Sequence, residues 1–115
     1  MAYAHRVPGF PKIVEMLAFT RRLTSLLGEE DYRQLQLALL ETPTLGRVIQ
    51  GTGGLRKVRW ASQGRGKRGG VRVIYYWARA RGEVLMLFIY GKDEQDDLTP
   101  DQRKQLKKAL EPEYP

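Results

Sequence analysis

The sequence predicts an α+β fold, in which two N-terminal helices pack on a mainly antiparallel, twisted sheet of three to four strands and a short C-terminal helix follows. Two successive patterns of apolar residues lead to this prediction. Apolar residues recur at helical spacing between residues 18 and 42, and a period of two replaces that spacing after residue 54. Because 115 residues suit one compact core, we expect residues 1–115 to form a single domain.

The N-terminal part is predicted to be an arm, a short strand and a first helix. Residues 1–12 should form an irregular arm, because prolines and a glycine interrupt them, and residues 13–17 are consistent with a short strand. A helix is predicted from Ala18 to Leu27, and Gly28 is the residue expected just past its end. The apolar positions of this helix are Phe19, Leu23, Leu26 and Leu27.

A second helix is predicted directly after Gly28. The acidic residues 29–31 lie in its first turn, where the helix dipole favours negative charge, and Thr42 and Pro43 would end it. The residues expected on its apolar face are Tyr32, Leu35, Leu39 and Leu40.

Strands are predicted in the second half of the chain, and the last one, apolar on both faces, should be central in the sheet. The predicted order is a glycine-rich turn (45–54), a strand (Leu55–Ala61), a basic hairpin tip (62–70), a strand (Val71–Ala78), a turn (79–83) and a strand (Val84–Tyr90).

The C-terminal helix has the clearest start signal in the sequence. Thr99 is placed to cap it, Pro100 suits its first turn, and Gln102 is placed to return the capping-box bond. The helix should run to about Leu110. Its predicted apolar contacts are Leu106, Ala109 and Leu110.

Positive charge is concentrated in one part of the chain, whose net charge is +7. No acidic residue occurs between Thr42 and Gly82, and a basic block of this length attracts polyanions, above all nucleic acid, although an acidic protein partner remains an alternative. The positive residues of the block are Arg47, Arg56, Lys57, Arg59, Arg65, Lys67, Arg68, Arg72, Arg79 and Arg81.

Several classes of protein are disfavoured by composition. The chain has no cysteine and one histidine, so a disulfide framework and a thiolate or zinc site are not expected, and no cofactor is predicted. No apolar run is long enough for a signal peptide or a membrane span, which favours a cytoplasmic setting.

Three segments resemble one known family. Residues 51–59 (GTGGLRKVR), 64–76 (GRGKRGGVRVIYY) and 89–94 (IYGKDE) are similar to the HigB-like branch of the RelE superfamily of toxins, and the similarity extends over about residues 30 to 110. The resemblance implies a cytoplasmic messenger-RNA interferase that acts at the ribosomal decoding site. It also implies a cognate protein antitoxin, of the kind that carries a helix-turn-helix DNA-binding domain.

The resemblance implies catalytic roles for four cations. RNA can be cut without a metal ion if its own 2′-hydroxyl attacks phosphorus, a reaction that needs a base, an acid and cations. The family's positions map onto Lys57, Arg59 and Arg72, with Lys92 as a further contact. Lys57 and Arg59 share a strand face, and an antiparallel neighbour could place Arg72, expected to be a surface cation, beside them. Lys57 would then be the base, its pKa lowered by the neighbouring charges, while the arginines hold the phosphate.

This chain departs from the RelE pattern at the general acid. Asp93 stands where RelE has an arginine, and Thr99 stands where it has a tyrosine. A group of the substrate or the ribosome could serve as the acid, or Lys92, Tyr90 or Lys67 could have taken the role; the pattern leaves these alternatives open.

Contacts with RNA or the ribosome are predicted for Arg56, Arg65, Lys67, Arg68 and Tyr76. Each prediction has a simpler structural alternative: an aromatic residue in a strand is usually part of the core, and cations at a hairpin tip can merely be solvated. The acidic residues between 93 and 97 could suit a metal ion by number, but their position before a helix favours an interaction with its dipole.

Two other functions compete with RNA cleavage. A ParE-like toxin binds and poisons DNA gyrase on the same fold without cutting nucleic acid, and a non-catalytic RNA-binding module would also need a basic block. A phosphate-gripping set on adjacent strands favours the ribonuclease, since an inhibitor that binds only a protein has no need of it.

Overall fold

The computed structural model describes residues 3–6, of which only the backbone is considered, together with 11–62 and 69–111. Its α+β class, with two helices before most of the sheet and one helix after it, confirms the predicted fold. The elements in chain order are β1 (Tyr3–Arg6), β2 (Lys12–Glu15), α1 (Leu17–Leu26), α2 (Glu29–Glu41), β3 (Arg47–Val48), β4 (Leu55–Trp60), β5 (Val71–Ala78), a 3₁₀ turn (Arg79–Arg81), β6 (Glu83–Gly91) and α3 (Pro100–Leu110).

The strands lie in the order β1-β2-β6-β5-β4-β3. Only the β2–β6 pair is parallel among the strand pairs of the described residues. Strand β6 lies between β2 and β5, which confirms the predicted central position of the last strand. Strand β6 is buried on both faces because helices cover both sides of the sheet there.

The two faces of the sheet pack against different helices. On one face Val58, Val73 and Met86 form a core with the apolar residues of α1 and α2, including Phe19 and Leu35. On the other face the core is smaller and lies under α3 and the segment before it; its buried members are Leu55, Ile74, Ala78, Leu85, Leu87, Tyr90, Leu98 and Leu110. Alternation along each strand therefore assigns every side chain of β4 and β5 to one of two distinct surroundings.

Two sequence predictions need correction. Residues 1–12 are not irregular throughout, because Tyr3–Arg6 form β1 and pair with β2, which begins at Lys12. The short strand β3 also adds to the predicted three to four strands. Both are edge strands, held by backbone hydrogen bonds that leave little trace in the pattern of side chains.

Helix α3 begins as predicted. The Gln102 backbone N–H donates to the Thr99 hydroxyl (3.1 Å), and the Thr99 N–H donates to the Gln102 side-chain oxygen (3.0 Å), so the capping box is complete. Leu110 is buried and Leu106 half-buried, but Ala109 is exposed, contrary to prediction, because it turns away from the face that contacts the sheet. No helix in the described part of the chain is long and apolar enough to cross a membrane.

The base of the β4–β5 hairpin depends on a glycine. Gly70 has a φ of +69°, and a Cβ there would overlap the carbonyl oxygen of Trp60. Gly82 has a similar φ of +63° but open space around it. We therefore expect Gly70→Ala to lower the free energy of unfolding by about 2–5 kcal/mol, and Gly82→Ala by only about 1–2 kcal/mol.

Urea denaturation of both variants measures this difference. The matched glycine separates backbone strain, which both substitutions cause, from the steric overlap that only Gly70→Ala introduces. Equal losses of stability would mean that the hairpin base relaxes around the added methyl group.

Candidate functional site

Three polar side chains form a row across neighbouring strands. Arg59 of β4 is paired with Arg72 of β5, and Arg72 is paired with Tyr90 of β6. Adjacent strands lie about 4.8 Å apart, so the three side chains stand next to one another on the α3 face of the sheet. Lys57 precedes Arg59 by two residues and projects from the same face. The structure thus brings together the three cations that the sequence predicted would cluster, and adds a tyrosine.

Arg72 is held inside the fold. Its residue surface is only 6% exposed, and its Nη1 donates a hydrogen bond to the carbonyl oxygen of Gly69 (2.8 Å). The expectation that Arg72 is a surface cation is therefore wrong, because the neighbouring strands and the hairpin base enclose it. Its orientation is defined by the fold, which suits a group that must grip a ligand in one geometry.

The positive charge of Lys57 is paired with a carboxylate that is distant in sequence. Its Nζ donates to Asp97 Oδ1, in the segment between β6 and α3. This hydrogen bond lowers the pKa of the Asp97 carboxyl, with smaller contributions from the charges of Arg103 and Arg59. The pair is consequently retained above the ordinary carboxyl range and is lost only as the pH falls through that lowered pKa. The exposed carboxylate of Asp97 thus lies among cations, in a position that would also suit a phosphate.

Tyr90 is the most unusual member of the row. The residue is 0% exposed, and its hydroxyl has no hydrogen-bond partner among the described residues. Burial is the main cause that raises the pKa of the phenol; the charge of Asp97 adds to the shift and the charges of Arg72 and Arg103 oppose it, so that the pKa is about 12. The hydroxyl therefore keeps its proton at neutral pH and is available as a donor.

A groove of about 290 Å³ lies beside Lys57. Its wall includes Arg47 from β3 and Arg103 from α3, cations that the sequence did not single out as site residues. Arg47 belongs to the segment without acidic residues, so the sequence could have indicated it as a site residue. Arg103 lies in a helix of mixed charge, where no sequence pattern distinguishes it. The groove is lined by Arg47, Val48, Ile49, Gln50, Lys57, Asp97, Leu98 and Arg103.

Lys92 lies at the rim of the row. Its backbone N–H donates to Gly70 O (3.2 Å), and its side chain runs close enough to Gly69 that a Cβ there would lie 2.8 Å from Lys92 Cδ. Since Gly69 also accepts the bond from Arg72, the hairpin base brings Lys92 and Arg72 near each other. Thr99, which the resemblance was expected to place at a tyrosine position of the family, is engaged in the capping box.

Two predicted RNA contacts lie away from the row. Arg56 projects from the opposite face, where its Nη1 donates to Gly46 O (2.8 Å) and thereby holds the segment before β3. Tyr76 is half-buried against the α3-side core, four residues and about 13 Å along β5 from Arg72. The predicted contacts Arg65, Lys67 and Arg68 lie outside the described residues.

The acidic residues after β6 contact cations and backbone. Asp97 pairs with Lys57, and Glu94 accepts bonds from Arg22 Nη2 (2.5 Å) and from the Gly91 N–H (2.9 Å). Within the described part of the chain, no three such groups lie close enough together to hold a metal ion.

Comparison with protein families gives one match. A family model described as the RelE toxin of the RelE / RelB toxin-antitoxin system matches residues 46–112. The match extends from β3 through α3, covers more than half of the chain, and includes Lys57, Arg59, Arg72 and Tyr90.

Proposed function

The chain belongs to the RelE toxin family of toxin–antitoxin systems, and from this premise we propose that it is a ribosome-dependent mRNA interferase of the HigB-like branch. The observation that carries the proposal is the Arg59–Arg72 pair, with Lys57 on the same sheet face. Two guanidinium groups on adjacent strands suit the non-bridging oxygens of a phosphodiester, and the charge that develops in a phosphorane needs such fixed donors.

The reaction that suits this site requires no metal ion. The 2′-oxygen of the RNA attacks phosphorus while Lys57 accepts its proton, the P–O5′ bond breaks, and the products are a 2′,3′-cyclic phosphate and a 5′-hydroxyl. Arg59 and Arg72 hold the phosphate, and Lys92 contacts it from the rim. Since an ammonium group has no lone pair, Lys57 must leave Asp97 and lose a proton before it acts as a base.

The positive charge of the protein also indicates which partners it would bind. The basic block suits messenger RNA and the ribosomal decoding site in the cytoplasm, with Arg56, Arg65, Lys67, Arg68 and Tyr76 as proposed contacts. A cognate antitoxin with a helix-turn-helix DNA-binding domain would silence the toxin by covering the site. Charge complementarity at such a surface speeds association.

Mapping of transcript ends after brief expression tests the function. We expect new 5′-hydroxyl ends inside translated reading frames within minutes of induction, and none with the Arg72→Ala variant. Intact transcripts together with DNA damage would contradict RNA cleavage and favour a ParE-like action on gyrase instead. Intact transcripts without DNA damage would favour a non-catalytic RNA-binding module.

Asp97 is expected to weaken RNA binding because, before the reaction begins, it competes with the RNA phosphate for the ammonium group of Lys57. Asp97→Asn should bind a 2′-O-methylated, uncleavable RNA several-fold more tightly, and the plot of log affinity against log salt should steepen by about 0.7–0.9 for one added phosphate contact. Fluorescence anisotropy across a salt series measures both quantities.

Asp96→Asn is the matched control for this experiment. It makes the same change in net charge one residue away from the carboxylate that holds Lys57. If both variants strengthened binding equally, general electrostatics would explain the gain and competition for Lys57 would not.

A further inference from the structure

Tyr90 differs from the other buried tyrosines whose hydroxyl bonds the structure describes. The Tyr75 hydroxyl donates to Pro43 O (2.7 Å), and the Tyr32 hydroxyl donates to Glu15 Oε2 (2.6 Å). A buried hydroxyl normally has such a partner, because leaving it unpaired forfeits the bonds it makes to water. Within the described residues the Tyr90 hydroxyl has none, although its ring is fully enclosed. An unpaired buried donor of this kind suggests a role in binding or catalysis.

The position of Tyr90 connects it to the candidate site. The residue is directly paired with Arg72 across the β5–β6 ladder, at the end of the row that begins at Arg59. The charges that act on its hydroxyl are those of Asp97, Arg72, Arg103 and Asp96, so it faces the same polar region that holds the Lys57–Asp97 pair. A phosphodiester bound by the two arginines would therefore lie beside the phenol.

We propose that the Tyr90 hydroxyl donates the proton to the departing 5′-oxygen when this toxin cleaves RNA. The inference rests on the proposed function, which leaves the general acid unassigned. The balance of the step is simple: the O2′–P bond forms, the P–O5′ bond breaks, the 2′-proton goes to the base, and the phenolic proton goes to the 5′-oxygen. The phenolate then regains a proton from water.

The protonation state of Tyr90 suits this role. Its raised pKa of about 12 means that the phenol is fully protonated at neutral pH, and an alkoxide leaving group is more basic still, so the transfer is downhill. The guanidinium of Arg72 lies beside it and stabilises the phenolate that forms. Thr99, which the resemblance places at a tyrosine position of the family, is engaged in capping α3.

Binding of the substrate also prepares the acid. Asp97 is the charged neighbour with the largest effect on Tyr90, and it raises the pKa of the phenol. A phosphate that takes Lys57 displaces Asp97 from its ion pair and so opens the polar region around the hydroxyl. The proton donor thus becomes accessible when substrate is bound.

The test compares wild type with Tyr90→Phe on two substrates. Both are messenger RNAs positioned on ribosomes, one with the ordinary linkage and one with sulfur in place of the bridging 5′-oxygen at the cleaved position. A thiolate leaves without a proton, so it needs no acid. We expect Tyr90→Phe to cut the ordinary substrate about 100-fold or more slowly than wild type, and to cut the sulfur substrate at nearly the wild-type rate.

Other outcomes distinguish a failure of the acid role of Tyr90 from a failure of the proposed ribonuclease function. Wild-type rates for Tyr90→Phe on the ordinary substrate would overturn the acid role alone. Equal slowing on both substrates would show that the phenol positions the site and donates no proton, which also overturns it. No cleavage of either substrate by wild type would refute the proposed ribonuclease function itself.

Tyr32→Phe is the matched control, since it removes a buried hydroxyl on the opposite face. It loses the bond to Glu15 and should lower the melting temperature while leaving cleavage unchanged. Tyr90→Phe loses only an unpaired hydroxyl, so its melting temperature should equal or exceed that of wild type. A clear drop for Tyr90→Phe would mean that the hydroxyl is bonded in the resting fold, and would overturn the proposal.

Discussion

Replacement of Arg72 by alanine is expected to abolish growth inhibition and to slow cleavage of ribosome-bound mRNA by about 100- to 1,000-fold. Arg72 lies between Arg59 and Tyr90 in the row, and its guanidinium is oriented by the bond to Gly69. Loss of a fixed donor to the phosphorane raises the barrier of the chemical step. The measurement is single-turnover cleavage on programmed ribosomes, together with growth after induction.

Since Arg72 is buried, the fold of this variant needs its own control. Alanine leaves a void and removes the partner of the Gly69 carbonyl, so circular dichroism and thermal melting must accompany the assay. Arg72→Lys keeps the charge and most of the volume but loses the forked donor geometry, and it should also be strongly impaired. Arg79→Ala, an exposed arginine after the far end of β5, makes the same charge change as Arg72→Ala and should cut normally. Normal cleavage by folded Arg72→Lys would contradict a bidentate role.

The purified protein is expected to cut free RNA at least about 100-fold more slowly than the same RNA on ribosomes. Arg72 and Tyr90 are enclosed and Lys57 is paired with Asp97, so a flexible RNA must both open the site and adopt one geometry. A ribosome that holds the message in place supplies the orientation, and such preorganisation is worth several orders of magnitude in rate.

This difference is measured with one mRNA at one enzyme concentration, with and without ribosomes. The Arg72→Ala variant, prepared in parallel, excludes a contaminating nuclease. Rapid cleavage of naked RNA by wild type but not by the variant would support RNA cleavage and contradict its dependence on the ribosome.

Local patterns in the sequence determined much of the fold. Helical spacing predicted α1 and α2 to within a residue or two, and Thr99-Pro100 with Gln102 predicted the start of α3, because capping and helix propensity depend on residues a few positions apart. Alternation along β4 likewise placed Lys57 and Arg59 on one face. The resemblance to a known family added the catalytic expectation for Arg72.

Tertiary structure decided how these parts meet. The register that sets Arg59, Arg72 and Tyr90 side by side results from strand pairing, and a slip of one residue would turn one member of each pair to the opposite face. The pairing of Lys57 with Asp97 joins residues 40 positions apart, and no periodicity in the sequence reports such a contact. The burial of Arg72 and the unpaired hydroxyl of Tyr90 depend on what packs above them. These features could not be predicted from the sequence, because burial, register and long-range ion pairs are properties of the assembled sheet and its covering helices.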